Sequence, residues 1–280
     1  MIGSDVAPVA FGLTSAALWG AGDFCAGLAT KRAHVYSIII SSQIVGVLLL
    51  VGLALAFGET LPPFAHLLLG GAGGLAGTLG LIALYRALAG GRMSVAAPVS
   101  AVVGAAVPVV IGAVVEGLPG ALQLTGFGLA LAAVWLLSRA GDASPQFRRL
   151  GLPLLAGLGF GVFFVLIGQV SDVAVLWPLV VARIASISIL LAVATLSHQP
   201  RFVQREHLPV VVLVGVLEVG GNAFYALAGQ AGRLDVAAVL SSLYPASTVL
   251  LARVVLQEHI GRAQLMGILA ALAAIVLITV

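Results

Sequence analysis

The sequence predicts an all-α polytopic membrane protein, with ten transmembrane helices arranged as two inverted five-helix repeats around a central cavity. Three observations lead to this prediction. Of the 280 residues, 61% are hydrophobic and only 8% are charged, and the mean hydropathy is +1.19. Apolar windows of membrane length recur ten times along the chain. The second half of the chain also repeats parts of the first half.

The composition excludes several classes of protein. A soluble domain carries about 25% charged residues, so this chain has too little polar surface for a water-soluble globule. The formal net charge of +3 is spread over turns and forms no basic patch, which gives no support to nucleic-acid binding. The single cysteine, Cys25, excludes an intramolecular disulfide and a cysteine-based metal site, and we interpret it as a packing residue.

A helix needs about 20 apolar residues to cross the hydrocarbon core, and windows of that length give the elements in order. The predicted spans are 7–28, 36–57, 64–89, 94–115, 120–138, 151–170, 174–197, 208–229, 236–256 and 262–280. The segments between them are TKRAH, GETLPP, GGRM, EGLPG, SRAGDASPQFRR, QVSD, SHQPRFVQREH, QAGRLD and QEHIGR. Their glycine, proline and charged residues favour turns over helix. The longest break, 139–149, predicts two units, 1–142 and 143–280, within one membrane domain.

The two halves resemble each other in sequence. At an offset of 141, GRMSVAAPVSA (Gly91–Ala101) aligns with GRLDVAAVLSS (Gly232–Ser242). The same offset aligns Gln123–Ser138 with Gln264–Thr279, where eight of sixteen residues are identical. Each half then holds five spans, and because five is odd, the second half enters the membrane from the opposite side. Inverted repeats are typical of secondary transporters whose binding site lies near the middle of the bilayer.

Positive charge predicts the orientation, because lysine and arginine accumulate in cytoplasmic turns. Arg233 alone lies in an even-numbered turn. The basic residues in or near odd-numbered turns are Lys31, Arg32, Arg86, Arg92, Arg139, Arg148, Arg149, Arg201, Arg205, Arg253 and Arg262. This count places the odd-numbered turns in the cytoplasm and both termini outside.

Catalytic signatures are absent from the sequence. The histidines lie in or beside turns and form no pair with metal-ligand spacing. There is no G-x-S-x-G, no H-E-x-x-H and no phosphate-binding loop. We therefore predict no catalytic residue, no metal and no cofactor.

Span 8 carries the most informative polar residues, because charge inside a bilayer is costly and marks function. Glu218, Asn222 and Tyr225 follow the spacing i, i+4, i+7, which places them on one helical face. This face could bind a cationic or amino-bearing solute, and protonation of Glu218 could couple transport to a proton gradient. The alternative is a structural bridge from Glu218 to Arg183, and both roles are compatible if solute competes for the pair.

Other spans contribute polar or aromatic residues at matched positions. Trp19 is interpreted as a cavity wall for a flat solute, whereas Asp23, one turn later, is expected to form an interfacial salt bridge with Lys31 and Arg32. Arg183 aligns with Gln43 at an offset of 140, which indicates a shared structural or gating role.

Spans 4 and 9 combine proline with hydroxyl groups. Proline frees a carbonyl one turn earlier in its helix, and such breaks are tolerated at depth only where protein or a cavity satisfies the backbone. Cavity lining is favoured over simple kinks whose serines bond back to their own helix. The predicted substrate-binding residues are Trp19, Gln43, Tyr85, Phe164, Glu218, Asn222, Tyr225, Ser241, Ser242 and Tyr244. The predicted gating or structural residues are Asp23, Pro98, Pro108, Arg183 and Pro245.

Three stretches carry a resemblance to a known family: LWGAGDF, ALYRALAGGRMSVAAPVSAVVGAAVPVVIGAVVEG and AVLSSLYPASTVLLARVVLQEHIGRAQLMGILAALAAIVLI. Together they resemble the drug/metabolite transporter superfamily, and within it the ten-span EamA-type branch of amino acid and metabolite exporters. The resemblance covers essentially the whole chain, and its most specific part is the acidic residue that closes helices 4 and 9, followed by Gln and Gly. It implies a bacterial inner-membrane carrier with both termini in the cytoplasm, whereas the charge count places them outside.

The expected function is secondary transport by alternating access, with export of small metabolites such as amino acids, including aromatic ones, or related amphipathic compounds and drugs. The expected partners are a small-molecule solute and the lipid bilayer, with the chain as a monomer or a homodimer. An intramembrane lipid-modifying enzyme and a non-transporting membrane subunit are the alternatives. The enzyme would need a cluster of His with Asp or Ser at depth, which the turn-bound histidines do not provide.

Overall fold

The computed structural model describes residues 6–90, 93–115, 120–138, 150–170, 173–231, 241 and 243–279. Over these residues the protein is helical and contains no strand. The α-helices described are α1 (Val6–Thr30), α2 (Val35–Ala56), α3 (Phe64–Ala89), α4 (Met93–Val115), α5 (Ala121–Ser138), α6 (Gly151–Gly168), α7 (Leu176–Leu196), α8 (Leu208–Ala231), α9 (Tyr244–Val255) and α10 (Arg262–Thr279). A short 3-10 turn, Arg205–His207, precedes α8.

The fold class predicted from composition is confirmed in its main part. Six of the described helices, namely α1, α2, α3, α6, α7 and α8, are long and apolar enough to cross a membrane. Shorter apolar segments of 10–17 residues lie in α4, α5, α9 and α10. Helix α9 begins at Tyr244, later than the predicted span 236–256, and residues 232–240 lie outside the described part. The protein is therefore an all-helical, multi-pass membrane protein.

Helices from the two halves of the chain pack mainly on each other. The principal pairs are α1 with α8 and α9, α3 with α6 and α7, α4 with α6, α2 with α7, and α5 with α10. Glycine permits several of these crossings: Gly74 faces the backbone of Ala182, and a methyl group at Gly70 would lie 2.7 Å from the carbonyl oxygen of Pro178. Inside a membrane, small residues let helices approach closely and gain van der Waals contact.

Helices α2 and α7 end in the same way at positions 140 residues apart. Gly58 and His198 follow the two helices with positive φ values of 65° and 52°. In each turn the next residue donates its N–H to a carbonyl five residues earlier, at 2.9 Å for Glu59 and 2.8 Å for Gln199. This bond is characteristic of the Schellman cap. The same turn therefore recurs close to the offset of the sequence repeat.

Glu59 then connects the two halves of the chain. Its carboxylate accepts hydrogen bonds of 2.9–3.1 Å from the backbone N–H groups of Val175, Leu176 and Trp177. The Trp177 indole N–H donates to the backbone oxygen of Glu59 at 2.8 Å. The first N–H groups of a helix lack partners within it, and a negative charge there also meets the positive end of the helix dipole. The end of α2 therefore lies beside the start of α7.

The start of α2 is capped locally instead. His34 Nδ1 accepts a 3.4 Å hydrogen bond from the N–H of Tyr36, and the two rings pack edge to face with centroids 4.9 Å apart. The Arg86 guanidinium lies 5.6 Å from the centroid of the Tyr36 ring. Burial, together with the positive charge of Arg86, lowers the pKa of His34. Because a neutral imidazole keeps one nitrogen as an acceptor, this shift favours the cap.

A buried chain of hydrogen bonds joins α2, α3 and α7. Gln43 Nε2 donates to Ser186 Oγ at 2.8 Å, and the hydroxyl oxygens of Ser186 and Thr78 are 2.6 Å apart. Thr78 donates its single hydrogen to the carbonyl of Gly74 at 2.6 Å, so Ser186 must donate to Thr78. Gln43, Thr78 and Ser186 are at most 5% exposed. The chain of bonds therefore gives each hydroxyl a partner where water is excluded.

We expect Glu59→Ala to destabilise the protein by removing the cap of α7. Loss of a helix cap costs about 1–2 kcal/mol, which corresponds to a fall of roughly 2–8 °C in melting temperature for a chain of this size. Gln199→Ala is the matched control, because this residue occupies the equivalent turn and its side chain bonds only to Ser197 within that turn. Equal melting temperatures for the two variants in detergent would contradict this role of Glu59.

Ser186→Ala should destabilise the protein more than Ser188→Ala does. The first change removes the central hydroxyl of the buried chain and leaves Gln43 Nε2 without its acceptor, at a cost of about 1–3 kcal/mol. Ser188 is exposed on the same helix, and its hydroxyl bonds back to the carbonyl of Ile184 at 2.8 Å. Thermal unfolding of both variants under identical conditions checks the difference, and a larger effect at Ser188 would refute it.

Candidate functional site

Ionisable side chains from five helices meet inside the bundle. They are Asp23 of α1, Tyr85 of α3, Arg183 of α7, Glu218 of α8 and Tyr244 of α9, and we call these five residues the interior cluster. Glu218 lies within electrostatic range of each of the other four. Ionisable groups at membrane depth are costly and mark solute or ion pathways. The interior cluster is therefore the candidate functional site.

The residues of the cluster and its surroundings differ in burial. Asp23 and Tyr85 are 6% and 2% exposed. Polar and aromatic residues around them keep partial exposure: Trp19, Arg183, Glu218, Asn222, Tyr225 and Tyr244. Arg183 and Glu218 therefore interact electrostatically across helices while keeping partial exposure.

Glycine residues make room for the large side chains at this site. A methyl group at Gly22 of α1 would lie 3.0 Å from Glu218 Oε1. A methyl group at Gly46 of α2 would lie 2.8 Å from Arg183 Nη1 and 3.0 Å from its Cζ. Each charged side chain thus lies against a glycine of the N-terminal half. A side chain at either glycine would displace the charge from its place.

The contacts of Gln43 and Arg183 follow the sequence repeat. These two residues match at an offset of 140, and the residues that they contact, Ser186 and Gly46, match at the same offset. Gln43 of α2 bonds to Ser186 of α7, whereas Arg183 of α7 lies over Gly46 of α2. Serine offers a hydroxyl to the amide, and glycine leaves space for the larger guanidinium. Gln43 is thereby held in a buried bond, while Arg183 remains partly exposed.

Helices α1 and α8 supply an aromatic wall beside Glu218. The rings of Trp19 and Tyr225 have centroids 5.9 Å apart at an angle of 33°. The Trp19 indole lies directly on Gly221. Because Gly22 contacts Glu218 on the same side, the predicted face of span 8 is the face that packs on α1.

Hydroxyl groups of the ninth span hold the backbone of α1. The Ser247 and Thr248 hydroxyls donate to the carbonyls of Ala17 and Gly20 at 3.2 and 3.0 Å. Ser241 is 1% exposed, and its hydroxyl lies 3.4 Å from the carbonyl oxygen of Gly12. These serine and threonine groups therefore join helices. The role of Ser241 in binding solute stays a prediction, and Ser242 lies outside the described residues.

Tyr244 and Pro245 mark the start of α9. Leu243 forms a turn, and Pro245 is the second residue of the helix, where its missing N–H is not needed. The Tyr244 hydroxyl bonds to Ser100 of α4, which itself donates to the backbone of its own helix. Tyr244, a member of the interior cluster, is therefore the first residue of α9.

The two prolines of α4 do not interrupt it. Pro98 and Pro108 both lie inside the continuous helix Met93–Val115. Pro98 is buried and Pro108 is partly exposed. Their gating role stays a prediction, while their place in an unbroken helix is what the structure describes.

The interfacial salt bridge expected of Asp23 is wrong. Lys31 and Arg32 are exposed, whereas Asp23 is buried beside Phe24, which is 5% exposed, and no ion pair joins Asp23 to either basic residue in the described part of the chain. The physical reason is packing: this part of α1 lies between α8, α9 and α3, so the carboxylate faces the interior cluster.

The alternative bridge from Glu218 to Arg183 is not a direct ion pair. The two groups interact electrostatically, but among the described residues the only pair within 4.0 Å is His207 with Glu206. Both side chains keep partial exposure.

The two other predicted binding residues have different surroundings. Tyr85 is almost fully buried in the main hydrophobic core with Leu84 and Leu88. Phe164 is 45% exposed and packs edge to face on Phe163, with ring centroids 5.6 Å apart. The Phe163 ring contacts α3 at Gly77. Their roles in binding stay predictions.

Sequence reasoning missed Gly22, Gly46 and Ser186 as parts of the site. Position 46 matches position 186 at the offset of 140. Extending the match of positions 43 and 183 by three residues would therefore have found Gly46 and Ser186. No sequence signal pointed to Gly22. Within the described residues no group of three His, Cys, Asp or Glu side chains could hold a metal ion.

Comparison with known proteins supports the membrane-transporter assignment. No curated protein matches the chain by sequence. Twelve chains of solved structures match its fold, and one is the crystal structure of a protein 17% identical in sequence, covering 97% of this chain and 96% of that chain with a TM-score of 0.65. That likeness shows a shared fold. By sequence, residues 150–280 are similar to the EamA-like transporter family, which belongs to the drug/metabolite transporter superfamily.

Proposed function

We propose that the protein is a secondary transporter that exports small metabolites by alternating access. The solutes are amino acids, including aromatic ones, or related amphipathic compounds and drugs. The observation that carries this proposal is the interior cluster, which presents both signs of charge beside an aromatic wall inside a membrane bundle. Such groups would bind the polar and apolar parts of one small solute near the bilayer midplane.

The proposed architecture is two inverted five-helix repeats, 1–142 and 143–280. In this arrangement α1 corresponds to α6, α3 to α8 and α4 to α9. The contact between α1 and α8 then has its counterpart in the contact between α6 and α3, and the contact between α4 and α6 has its counterpart in that between α9 and α1. All four contacts occur. Helix α2 corresponds to α7 and α5 corresponds to α10, and the two helices of each pair contact each other. The end of α2 meets the start of α7 through Glu59, as two oppositely directed helices require. These relations support a two-fold arrangement with the site between the repeats.

The proposed setting is a bacterial inner membrane, with the odd-numbered turns in the cytoplasm and the chain acting as a monomer. The sequence holds no phosphate-binding loop, so the proposed energy source is an ion gradient or the gradient of the solute itself. In alternating access, one repeat moves against the other around a fixed site. The close glycine contacts between halves support movement of rigid units, because each crossing is tightly packed.

Flux into proteoliposomes tests the proposal. The purified chain should transport at least one member of a panel of radiolabelled amino acids, amines and cationic drugs faster than empty liposomes do. A lipid-modifying enzyme would change labelled phospholipids in the same vesicles without solute flux, and a non-transporting subunit would do neither. Absence of flux for the whole panel, in either direction, would overturn the proposal.

Glu218→Gln tests the coupling mechanism. If Glu218 exchanges its proton for solute, the variant should keep solute exchange at higher solute concentration and lose the dependence of flux on a pH gradient. The amide keeps the shape of the side chain but cannot carry a proton at neutral pH. Flux that retains the pH dependence of the unmodified protein, combined with a lower melting temperature, would assign Glu218 a structural role instead.

A further inference from the structure

We propose that the hydrogen bond between Ser94 and Glu258 is a releasable latch, which holds the two halves of the chain together on the side of the odd-numbered turns. This role rests on the proposed function, because a carrier that alternates must close and reopen each side. Ser94 lies in the first turn of α4, and Glu258 lies in the turn after α9. The bond therefore joins the first half of the chain to the second, at two odd-numbered turns.

The latch is short, and the turn after α9 positions it. The Ser94 hydroxyl, which is buried, donates to Glu258 Oε1 at 2.5 Å, a distance typical of a hydroxyl bonded to a carboxylate. Gln257, just before the glutamate, has a positive φ of 53°. The Glu258 N–H donates to the carbonyl of Ala252 at 3.3 Å, and Arg253 Nη1 donates to the Glu258 carbonyl at 3.0 Å. These bonds hold the backbone of Glu258, so its side chain is presented to α4.

Glu258 differs from Glu59, another glutamate that joins the two halves. Both carboxylate oxygens of Glu59 accept hydrogen bonds from backbone N–H groups. The second oxygen of Glu258, Oε2, is buried and has no hydrogen-bond partner among the described residues. An enclosed carboxylate oxygen without a partner costs free energy, and separation of the turn from α4 would let water hydrate it. The bond to Ser94 and this cost oppose each other, so the contact can open and close, whereas Glu59 is suited to a permanent connection.

An apolar cluster continues from the latch along α4, and its buried residues come from both halves of the chain. They include Val95 and Val99 of α4, Val249 of α9 and Ile268 of α10, each at most 7% exposed. Residues 93–102 of α4 are all buried, whereas Val110 and Ile111 near its other end are 53% and 41% exposed. The end of α4 that carries Ser94 is therefore enclosed, and the opposite end is not. The structure thus describes a conformation that is closed on the side of the latch.

The rate of thiol labelling in the purified full chain, with Cys25→Ser as background, tests the latch. Val99→Cys reports on the cluster next to the latch, and Leu50→Cys, in a cluster of α2, α7 and α8, reports on general loosening; both positions are 0% exposed. Ser94→Ala leaves both oxygens of Glu258 without a partner while the latch is closed. It should raise the labelling rate at Val99→Cys roughly tenfold, because a charge-assisted bond is lost, and leave the rate at Leu50→Cys unchanged.

Variants of two glutamates separate the bond from the packing around it. Glu206→Ala is the matched control, because this glutamate also lies in an odd-numbered turn but pairs with the adjacent His207 at 3.3 Å. It should leave the labelling rate at Val99→Cys unchanged. Glu258→Gln keeps an oxygen that accepts from Ser94 without the charge, so its rise should be smaller than that of Ser94→Ala. Glu258→Ala removes the carboxylate, so Ser94→Ala should add little in that background.

Three results would overturn the latch: an unchanged labelling rate at Val99→Cys in Ser94→Ala, an equal rise at Val99→Cys and Leu50→Cys, or an equal effect of Ser94→Ala with and without the Glu258 carboxylate. Labelling needs no solute, so each of these results leaves the proposed function standing if flux is observed. Absence of flux with a selective rise at Val99→Cys would instead overturn transport and keep the latch as a switch between two conformations.

Discussion

The cost of leaving a polar group without a partner inside the membrane governs this structure. Water is excluded from the helix crossings, so each buried hydroxyl or amide must find protein atoms to bond. Gln43 and Ser186 form a hydrogen bond between α2 and α7, and the Thr248 hydroxyl bonds to the backbone of α1. The Glu59 carboxylate accepts hydrogen bonds from the first N–H groups of α7. These bonds also decide which helices of one half meet which helices of the other.

Against this background, the charged groups without direct partners stand apart. Arg183 and Glu218 have glycine neighbours that admit their side chains, yet no ion pair within the described part of the chain satisfies either one. Both side chains keep partial exposure, whereas Gln43 and Ser186 are buried. Gln43, at the position that matches Arg183, instead donates a buried hydrogen bond to Ser186.

The sequence predicted much of this fold because its signals are local. Nine of the ten apolar segments predicted from sequence have bounds close to those of described helices, and six of these helices are long and apolar enough to cross a membrane. The spacing of Glu218, Asn222 and Tyr225 predicted one face of α8, and Glu218 and Tyr225 of this face contact α1. The error at Asp23 has a clear cause. The short sequence distance from Asp23 to Lys31 suggested a position at the membrane–water interface. Burial of Asp23 depends instead on which helices surround α1, and sequence distance carries no such information. For the same reason the sequence did not reveal that the Ser241 hydroxyl lies 3.4 Å from the carbonyl oxygen of Gly12.

By itself, the sequence determined an all-helical membrane chain with a repeat and with polar residues at depth, because hydropathy and periodicity are properties of a single segment. Only the tertiary structure decided which polar groups satisfy one another and which remain open. That choice depends on distances between segments 140 residues apart, such as Ser186 meeting Gln43 while Gly46 leaves room for Arg183.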